Sequence, residues 1–496
     1  MLEPRDIRAY IDKHRTRRQS NKVLHGHPSP GFWNDRDVQV TEIMRQRAES
    51  SATAPKRLNL YVGTPYCLPT EPDRCGFCLF PSEVYKDRRQ LDVYLTYLRK
   101  EGELFRRHLE GVELASIYFG GGTSNLYNAD QYAELMSVVG EVFEIPPQIE
   151  VTLEGIPQTF THDKLAAMKA CGINRISMGV QQVDDELIKA SGRRQKSSQV
   201  FRTIASCQEL GLPISVDLIF GWPNQTVDHM LRDLAAVVAT GISHITHYEL
   251  NVAGRTDFSR RRRDALPSIE QNLEMYRLGK EFLESKGYHQ VTPYDFERPS
   301  DTHDSSYLYE ELFRRPLRAE RGQLLGFDAW GWGYAGISFF FGAPTSPGWA
   351  YINQIHIDDY YRDLDKEHYP VMRGFRYSEA DLRLHLLFQE LQGLSIDRTE
   401  HAAIFGRDVV QDFQPIWDVL EERGWARVDN VAVSITGDGV FHLPLVQNLL
   451  ARERTEDMRR QRKMAETGLG PLAGVASGIV PETGRPPASA PAARVL

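Results

Sequence analysis

From Arg57 to Leu250, compact apolar runs alternate with segments whose apolar residues recur every three or four positions. The runs Arg57–Val62, Leu114–Phe119, Gln148–Leu153, Arg175–Val180, Pro213–Phe220 and His244–Leu250 read as strands. The segments Gln90–His108, Ala129–Val142, Thr161–Ala170, Ser197–Leu210 and Val227–Ala239 read as amphipathic helices. Alternation at this spacing predicts βαβ units around a parallel sheet. Six units make the fold class α/β and suit a partial (β/α)6 barrel, with the chemistry at the carboxyl ends of the strands.

The flanks read differently. Residues 1–55 form a polar, irregular extension with a basic run at Arg15–Arg18 and a Pro/Gly/His stretch from His25. After a barrel spanning 56–266, residues 267–375 form an accessory region. It holds a helix, Glu270–Lys286, and an aromatic, glycine-rich stretch, Gly326–Ser338. Residues 376–450 turn helical, and Asp412–Arg423 is followed by a hairpin, Ala426–Val428 turning at Asp429 and Asn430 into Val431–Ile435. That pattern predicts a C-terminal winged-helix-like unit. Its mixed charge argues against DNA and for a lid over the barrel mouth. Residues 451–496 read as a charged helix, over 451–463, and a Gly/Pro/Ala-rich disordered tail from 467.

Composition narrows the setting. A chain of 496 residues exceeds one ordinary core and predicts two or three domains. A net charge of −8 argues against a general nucleic-acid partner. The polar N-terminus lacks a signal-peptide core, and no run of about 18 apolar residues predicts a membrane span. The expected location is cytoplasmic, without a membrane partner.

Three cysteines carry the strongest chemical signal. Cys67, Cys75 and Cys78 follow the first strand on one loop, and no fourth cysteine lies nearby. Three thiolates can hold three irons of a [4Fe–4S] cubane and leave one iron open. Zinc, with four protein ligands or three plus water, competes for the same triplet. A disulfide pair fits poorly with five sparse cysteines. Cys171 and Cys207 fall inside apolar helical patterns and read as small core residues.

Further candidates sit at successive strand ends: Gly120-Gly121-Gly122-Thr123, then Glu154, Gln181 and Asp217. Arg193 can meet a carboxylate there. His244, His247 and Tyr248 lie on one strand, with His247 and Glu249 on one face as acid/base candidates or core residues. Trp330, Trp332 and Tyr334 read equally as a platform for a flat substrate or as packing. Arg260–Arg263 reads as a solvated loop or as an anion contact.

The cysteines, Gly120–Thr123, Asn174–Gln181 and Val216–Gln225 together resemble radical S-adenosylmethionine (SAM) enzymes. Within them, the chain is similar to the branch typified by oxygen-independent coproporphyrinogen III oxidase. The resemblance implies a [4Fe–4S] cluster on Cys67, Cys75 and Cys78 that binds SAM at its open iron. It implies Tyr61 and Phe77 lining that site, and Gly121, Gly122 and Thr123 at the methionine end. Glu154, Gln181, Arg193 and Asp217 would bind methionine and ribose, with Ile219 near the adenine and Ile337 near a second SAM. It also implies a small-molecule substrate and an electron donor such as flavodoxin or ferredoxin. Two departures stand out. The family loop has three residues between its first two cysteines, where this chain has seven, Leu68–Arg74. The oxidase's N-terminal Tyr-Thr-Ser-Tyr-Pro run is absent. The resulting expectation is a class C-type two-SAM methyl or methylene transferase. Oxidative decarboxylation of a porphyrinogen and a haem chaperone are the alternatives.

Overall fold

The computed structural model describes residues 3–18, 25–51, 56–252, 254, 256–299, 307–320 and 323–466. The expected disordered tail from 467 lies outside the described residues.

Six parallel strands form the centre: β1 (Lys56–Thr64), β2 (Leu114–Gly121), β3 (Glu150–Gly155), β4 (Arg175–Gln181), β5 (Ile214–Phe220) and β6 (His244–Glu249). They pair in that order. Helices Arg88–Leu109, Ala129–Gly140, His162–Ala170, Ser197–Leu210 and Val227–Val238 connect them. This is the α/β arrangement that the alternation predicts. Side chains alternate across each strand. Leu58, Leu60, Ile117, Phe119, Val151, Leu153, Ile176, Met178, Val216 and Leu218 point out, buried under the helices. Asn59, Tyr61, Ser116, Tyr118, Thr152, Glu154, Ser177, Ser215, Asp217 and Thr246 hold the opposite phase and line the concave inner face. Side-chain caps from Asp87, Asn128 and Thr226 fix three of the helix starts, each worth about 1 kcal/mol.

The 267–375 stretch does not stand apart from this sheet. Strand β7 (Gln323–Trp332) pairs parallel to β1, placing Gly331 beside Tyr61. Strands β8 (Ile337–Ala343), β9 (Ser346–Asn353) and β10 (Val371–Arg376) continue it antiparallel, within a sheet of 13 strands. Trp330 and Trp332 stack on each other, centroids 4.9 Å apart, with Trp330 also against Phe105. Both are fully buried under the Arg88–Leu109 helix. They are packing residues, so the platform alternative fails.

The N-terminal extension is ordered where described, against the irregular reading. Helix Pro4–His14 buries Ile7 and Ile11 against the C-terminal helices. Arg8 pairs with Glu422, and Arg423 with Asp12. Helix Val40–Ser51 covers β8 and β9, and Arg47 forms a buried ion pair with Asp328 on β7. Apolar residues here are few, so the sequence pattern is polar; the order comes from these long-range contacts. Beyond the sheet lie helices Glu379–Glu390, Arg398–Phe405 and Val409–Glu422, with an antiparallel sheet of Ser395–Asp397, Ala432–Ile435 and Ala426–Val428. A charged helix, Arg452–Glu466, follows.

Candidate functional site

The cysteine loop leaves the carboxyl end of β1 and is tied to the end of β2. Gly122 N donates to Thr64 O at 2.7 Å and Thr123 N to Tyr66 O at 2.8 Å. Two glycines make this approach possible. A Cβ on Gly122 would lie 2.5 Å from Tyr66 O, and Gly121 adopts φ +104° with its would-be Cβ 2.9 Å from Thr64 O. The amides of Gly122 and Thr123 are therefore spent on holding the loop. Thr123 and Ser82 also hydrogen-bond Cys67.

Cys67, Cys75 and Cys78 come together, each half-buried. Burial pushes the Cys67 thiol up and the Cys78 thiol up to about 11, and the neighbouring sulfurs add to both. Arg193 offsets this: Nε donates to Cys75 Sγ at 3.4 Å while Nη1 donates to Gly179 O at 2.7 Å. A guanidinium beside thiols favours the thiolate form that binds metal. Among the described residues, no three His, Cys, Asp or Glu side chains converge tightly enough to hold one metal ion. A cubane takes each thiolate at a separate iron, so three neighbouring thiols beside a cation fit the protein-held corners of a cluster.

The seven-residue spacer Leu68–Arg74, four residues longer than the family's, is packed down and does not loop out. Pro72 is buried, Thr70 Oγ1 accepts from Cys75 N at 3.0 Å, and Arg74 and Cys75 adopt left-handed backbone angles. The turn packs on the loop before Arg193. A Cβ on Gly192 would lie 2.3 Å from Glu71 O. The spacer thus helps to set the position of Arg193.

On the inner face, Glu154, Gln181, Asp217 and Ile219 stand on neighbouring strands β3, β4 and β5. Burial raises Glu154 to about 7, opposed by hydrogen bonds from Tyr118 and Gly121 N and by Arg193. Burial and the nearby Glu154 raise Asp217 to about 8. Tyr61 stacks on Tyr118, centroids 5.7 Å apart. Phe77 packs edge-on against Trp222, 5.1 Å away. Ile337 lies beside the β7 partner of Tyr61, its backbone N 2.3 Å from where a Gly331 Cβ would lie, and its half-buried side chain packs against the cluster that holds Ala329 and Phe339. The structure therefore gathers the predicted residues around one mouth, with Ile337 two strands further along.

Other candidates fall away. His244 is buried on β6, bonded to Arg175 and Asp295 at 3.2 Å each. His247 points outward beneath helix Ile269–Ser285, where burial lowers it to about 3. Glu249 accepts from Asn272 at 2.8 Å on that outer side. None of these reaches the mouth. Cys207 is buried as expected, whereas Cys171 is half-buried where helix His162–Ala170 ends.

Three groups escape the sequence reading. Tyr118 sits two positions before Gly120, in phase with the inner face, so alternation could have found it. Helix Leu308–Arg314 enters the inner face, and Tyr309 lies 5.0 Å from the Tyr118 ring. Glu101, in the Arg88–Leu109 helix, is fully buried and raised to about 7 by burial. It accepts from Gly333 N at 2.9 Å, Asn353 Nδ2 at 2.8 Å and Tyr360 OH at 2.6 Å. Glu101 thereby clamps the β7–β8 turn. Tyr94 supports the same turn, accepting from Tyr334 N at 3.0 Å and donating to Gly63 O.

Comparison with known proteins identifies the domain. Residues 64–237 match the radical SAM superfamily. The chain is 32% identical over 267 residues to the bovine mitochondrial radical S-adenosyl methionine domain-containing protein 1, covering 52% of this chain and 59% of that protein. It is 26% identical to the heme chaperone HemW of Bacillus subtilis, over 76% of this chain and 95% of that one. It is 27% identical to the oxygen-independent coproporphyrinogen III oxidase of Helicobacter pylori, over 80% and 85%. The solved coproporphyrinogen III oxidase HemN of Escherichia coli shares the fold, with TM-score 0.72 and 23% identity over 86% of this chain and 97% of that one. The chain carries a radical SAM domain. Within that superfamily its relatives include the oxidase and HemW-type proteins, and the superfamily uses a [4Fe–4S] cluster and SAM.

Proposed function

We propose that this radical SAM enzyme is an oxidase that takes hydrogen from a small organic acid, with coproporphyrinogen III as the first substrate to test. The supporting observation is the mouth itself: three thiols beside Arg193 face a polar, carboxylate-bearing inner surface within a fold shared with the oxidase. Similarity to the Helicobacter pylori oxidase over 80% of the chain supports the oxidase reading above methylene transfer.

Cys67, Cys75 and Cys78 would hold the cluster. When bound, cluster and SAM together supply a 5′-deoxyadenosyl radical. Arg193 would favour the thiolates and orient the SAM carboxylate. Glu154 and Asp217 would accept hydrogen bonds from the SAM ammonium and ribose hydroxyls. Gln181, Gly121 and Thr123 would shape the methionine end, Tyr61 and Phe77 would wall the site, and Ile219 would pack on the adenine. These residues bind, orient and exclude water; the cofactors carry the hard chemistry.

A second reading, methylene transfer from a second SAM, rests on Ile337, which lies beside Gly331, the β7 partner of Tyr61. By-product analysis decides between the readings. Reduced, reconstituted protein with SAM and coproporphyrinogen III should yield 5′-deoxyadenosine and carbon dioxide without S-adenosylhomocysteine. Substrate-dependent S-adenosylhomocysteine would reverse the choice in favour of transfer. Stoichiometric haem binding with no SAM cleavage would replace both with a chaperone role.

A further inference from the structure

Two basic runs, separated by more than 240 positions in sequence, meet, and the second follows a residue packed on the cysteine loop. Arg260–Arg263 spans the short helix Asp257–Arg261 and the turn after it. Arg15–Arg18 follows helix Pro4–His14. Arg18 Nη2 donates to Pro267 O, and Arg18 and Arg263 act on each other electrostatically. Arg15, Arg17, Arg260, Arg261 and Arg263 are exposed. The acidic groups nearby do not balance them. Asp257 is mostly buried and serves Arg261 and Arg262 at 3.5 and 3.6 Å, and Asp12 serves Arg15 and Arg423. Glu249 acts on Arg18, and Asp264 and Glu270 remain exposed within the patch. A surplus of positive charge is thus concentrated on a chain whose net charge is −8.

Its position gives that charge a use. Phe258, in the same short helix, packs on the cysteine loop, its ring 6.0 Å from that of Phe77 and 2.8 Å from where a Gly76 Cβ would lie. Next to Cys78, Leu79 is 48% exposed and lies against Gly254, two residues before that helix's cap at Thr256. The cysteine loop therefore shows an exposed apolar side chain at the surface, against the segment that leads into the arginine-bearing helix. An apolar centre with a charged rim is the form of a transient protein interface, and like-signed charge raises the encounter rate with an opposite partner.

We propose that this arginine patch docks an acidic one-electron donor protein, with Leu79 at the centre of the contact. The proposal rests on the radical SAM reading, which supplies the need for an electron. With a flavodoxin as donor, the anionic flavin hydroquinone gives up one electron and becomes the neutral semiquinone. The oxidised cluster accepts that electron, and no proton moves.

The test uses the full reconstituted chain, an acidic flavodoxin, and the triple variant Arg260→Glu/Arg261→Glu/Arg263→Glu. Binding of oxidised flavodoxin should weaken by about tenfold or more in the variant, by the scale of electrostatic steering. Wild-type binding should weaken as salt rises, since screening acts over about 8 Å at physiological ionic strength. Stopped-flow bleaching of the cluster absorbance should slow to match with flavodoxin hydroquinone, while dithionite reduces both proteins at one rate. Leu79→Ser should weaken binding without removing its salt dependence. Three results would overturn the assignment: unchanged flavodoxin binding in the triple variant, salt-independent wild-type binding, or equal slowing with dithionite. Tight binding of an unstructured DNA oligomer in place of flavodoxin would also overturn it. Dithionite-driven SAM cleavage separates this proposal from the radical SAM reading, because it needs no docking protein.

Discussion

Replacing Glu101 with Gln should make the protein's relative stability depend on pH in a stated direction. Glu101 is fully buried and held near pKa 7, against an ordinary 4.5, with burial as the main cause. Each pKa unit corresponds to about 1.4 kcal/mol, so ionising this carboxyl in the fold costs about 3 kcal/mol relative to the unfolded chain. The hydrogen bonds from Gly333, Asn353 and Tyr360 already act within that shifted value. The sign follows from linkage. A group with a raised folded pKa contributes stability that is full below about 4.5 and is lost as pH rises through about 7. Gln is the neutral isostere and cannot ionise. At pH 5 the variant should differ from the parent mainly by its mismatched amide, at about 1–3 kcal/mol for any donor left unpaired. Between pH 5 and pH 8 the variant should gain on the parent by about 2–3 kcal/mol. Urea midpoints of both proteins at those two pH values provide the assay, and other buried carboxyls cancel in the comparison. A difference constant across that range would refute the buried-carboxyl account. The site gives a second readout: loosening the β7–β8 turn beside Gly63 should move SAM affinity, because β1 leads directly into the cysteine loop.

Two further predictions follow from the mouth. Gly192→Ala places a Cβ 2.3 Å from Glu71 O at φ +73°, so it should displace the lengthened 68–74 spacer together with Arg193. We expect a loss of about 1–2 kcal/mol from the left-handed strain and a cluster more readily lost to a chelator, read as the decay of its absorbance. SAM should bind more tightly as pH rises from 6 to 8.5, because its cationic groups favour the ionised forms of Glu154 and Asp217, now held near 7 and 8. Calorimetry in two buffers of different ionisation enthalpy should record proton release, and Asp217→Asn should flatten the profile.

The barrel strands were legible because their outer faces are buried by helices, which writes compact apolar runs into the sequence. Inner-face residues were legible by phase: Glu154 and Asp217 break an apolar run at the same alternate register that Ser116 and Tyr118 keep on β2. The tryptophans were not, since a period of two says that Trp330 and Trp332 share a face and says nothing of what covers it. Helix Pro4–His14 offers only Ile7, Tyr10 and Ile11 as apolar anchors, too weak a stripe to announce a packed helix. Glu101 shows the limit most clearly. In sequence it lies among Arg99, Lys100 and Glu103, where a charge reads as one more solvated side chain. Its burial is decided by Gly333, Asn353 and Tyr360, more than 230 positions later, and no local pattern in the Arg88–Leu109 helix contains them. The same holds for the arginine runs. Each looks like a solvated loop alone, and their meeting at Pro267 follows from the anchoring of helix Pro4–His14 on the C-terminal helices.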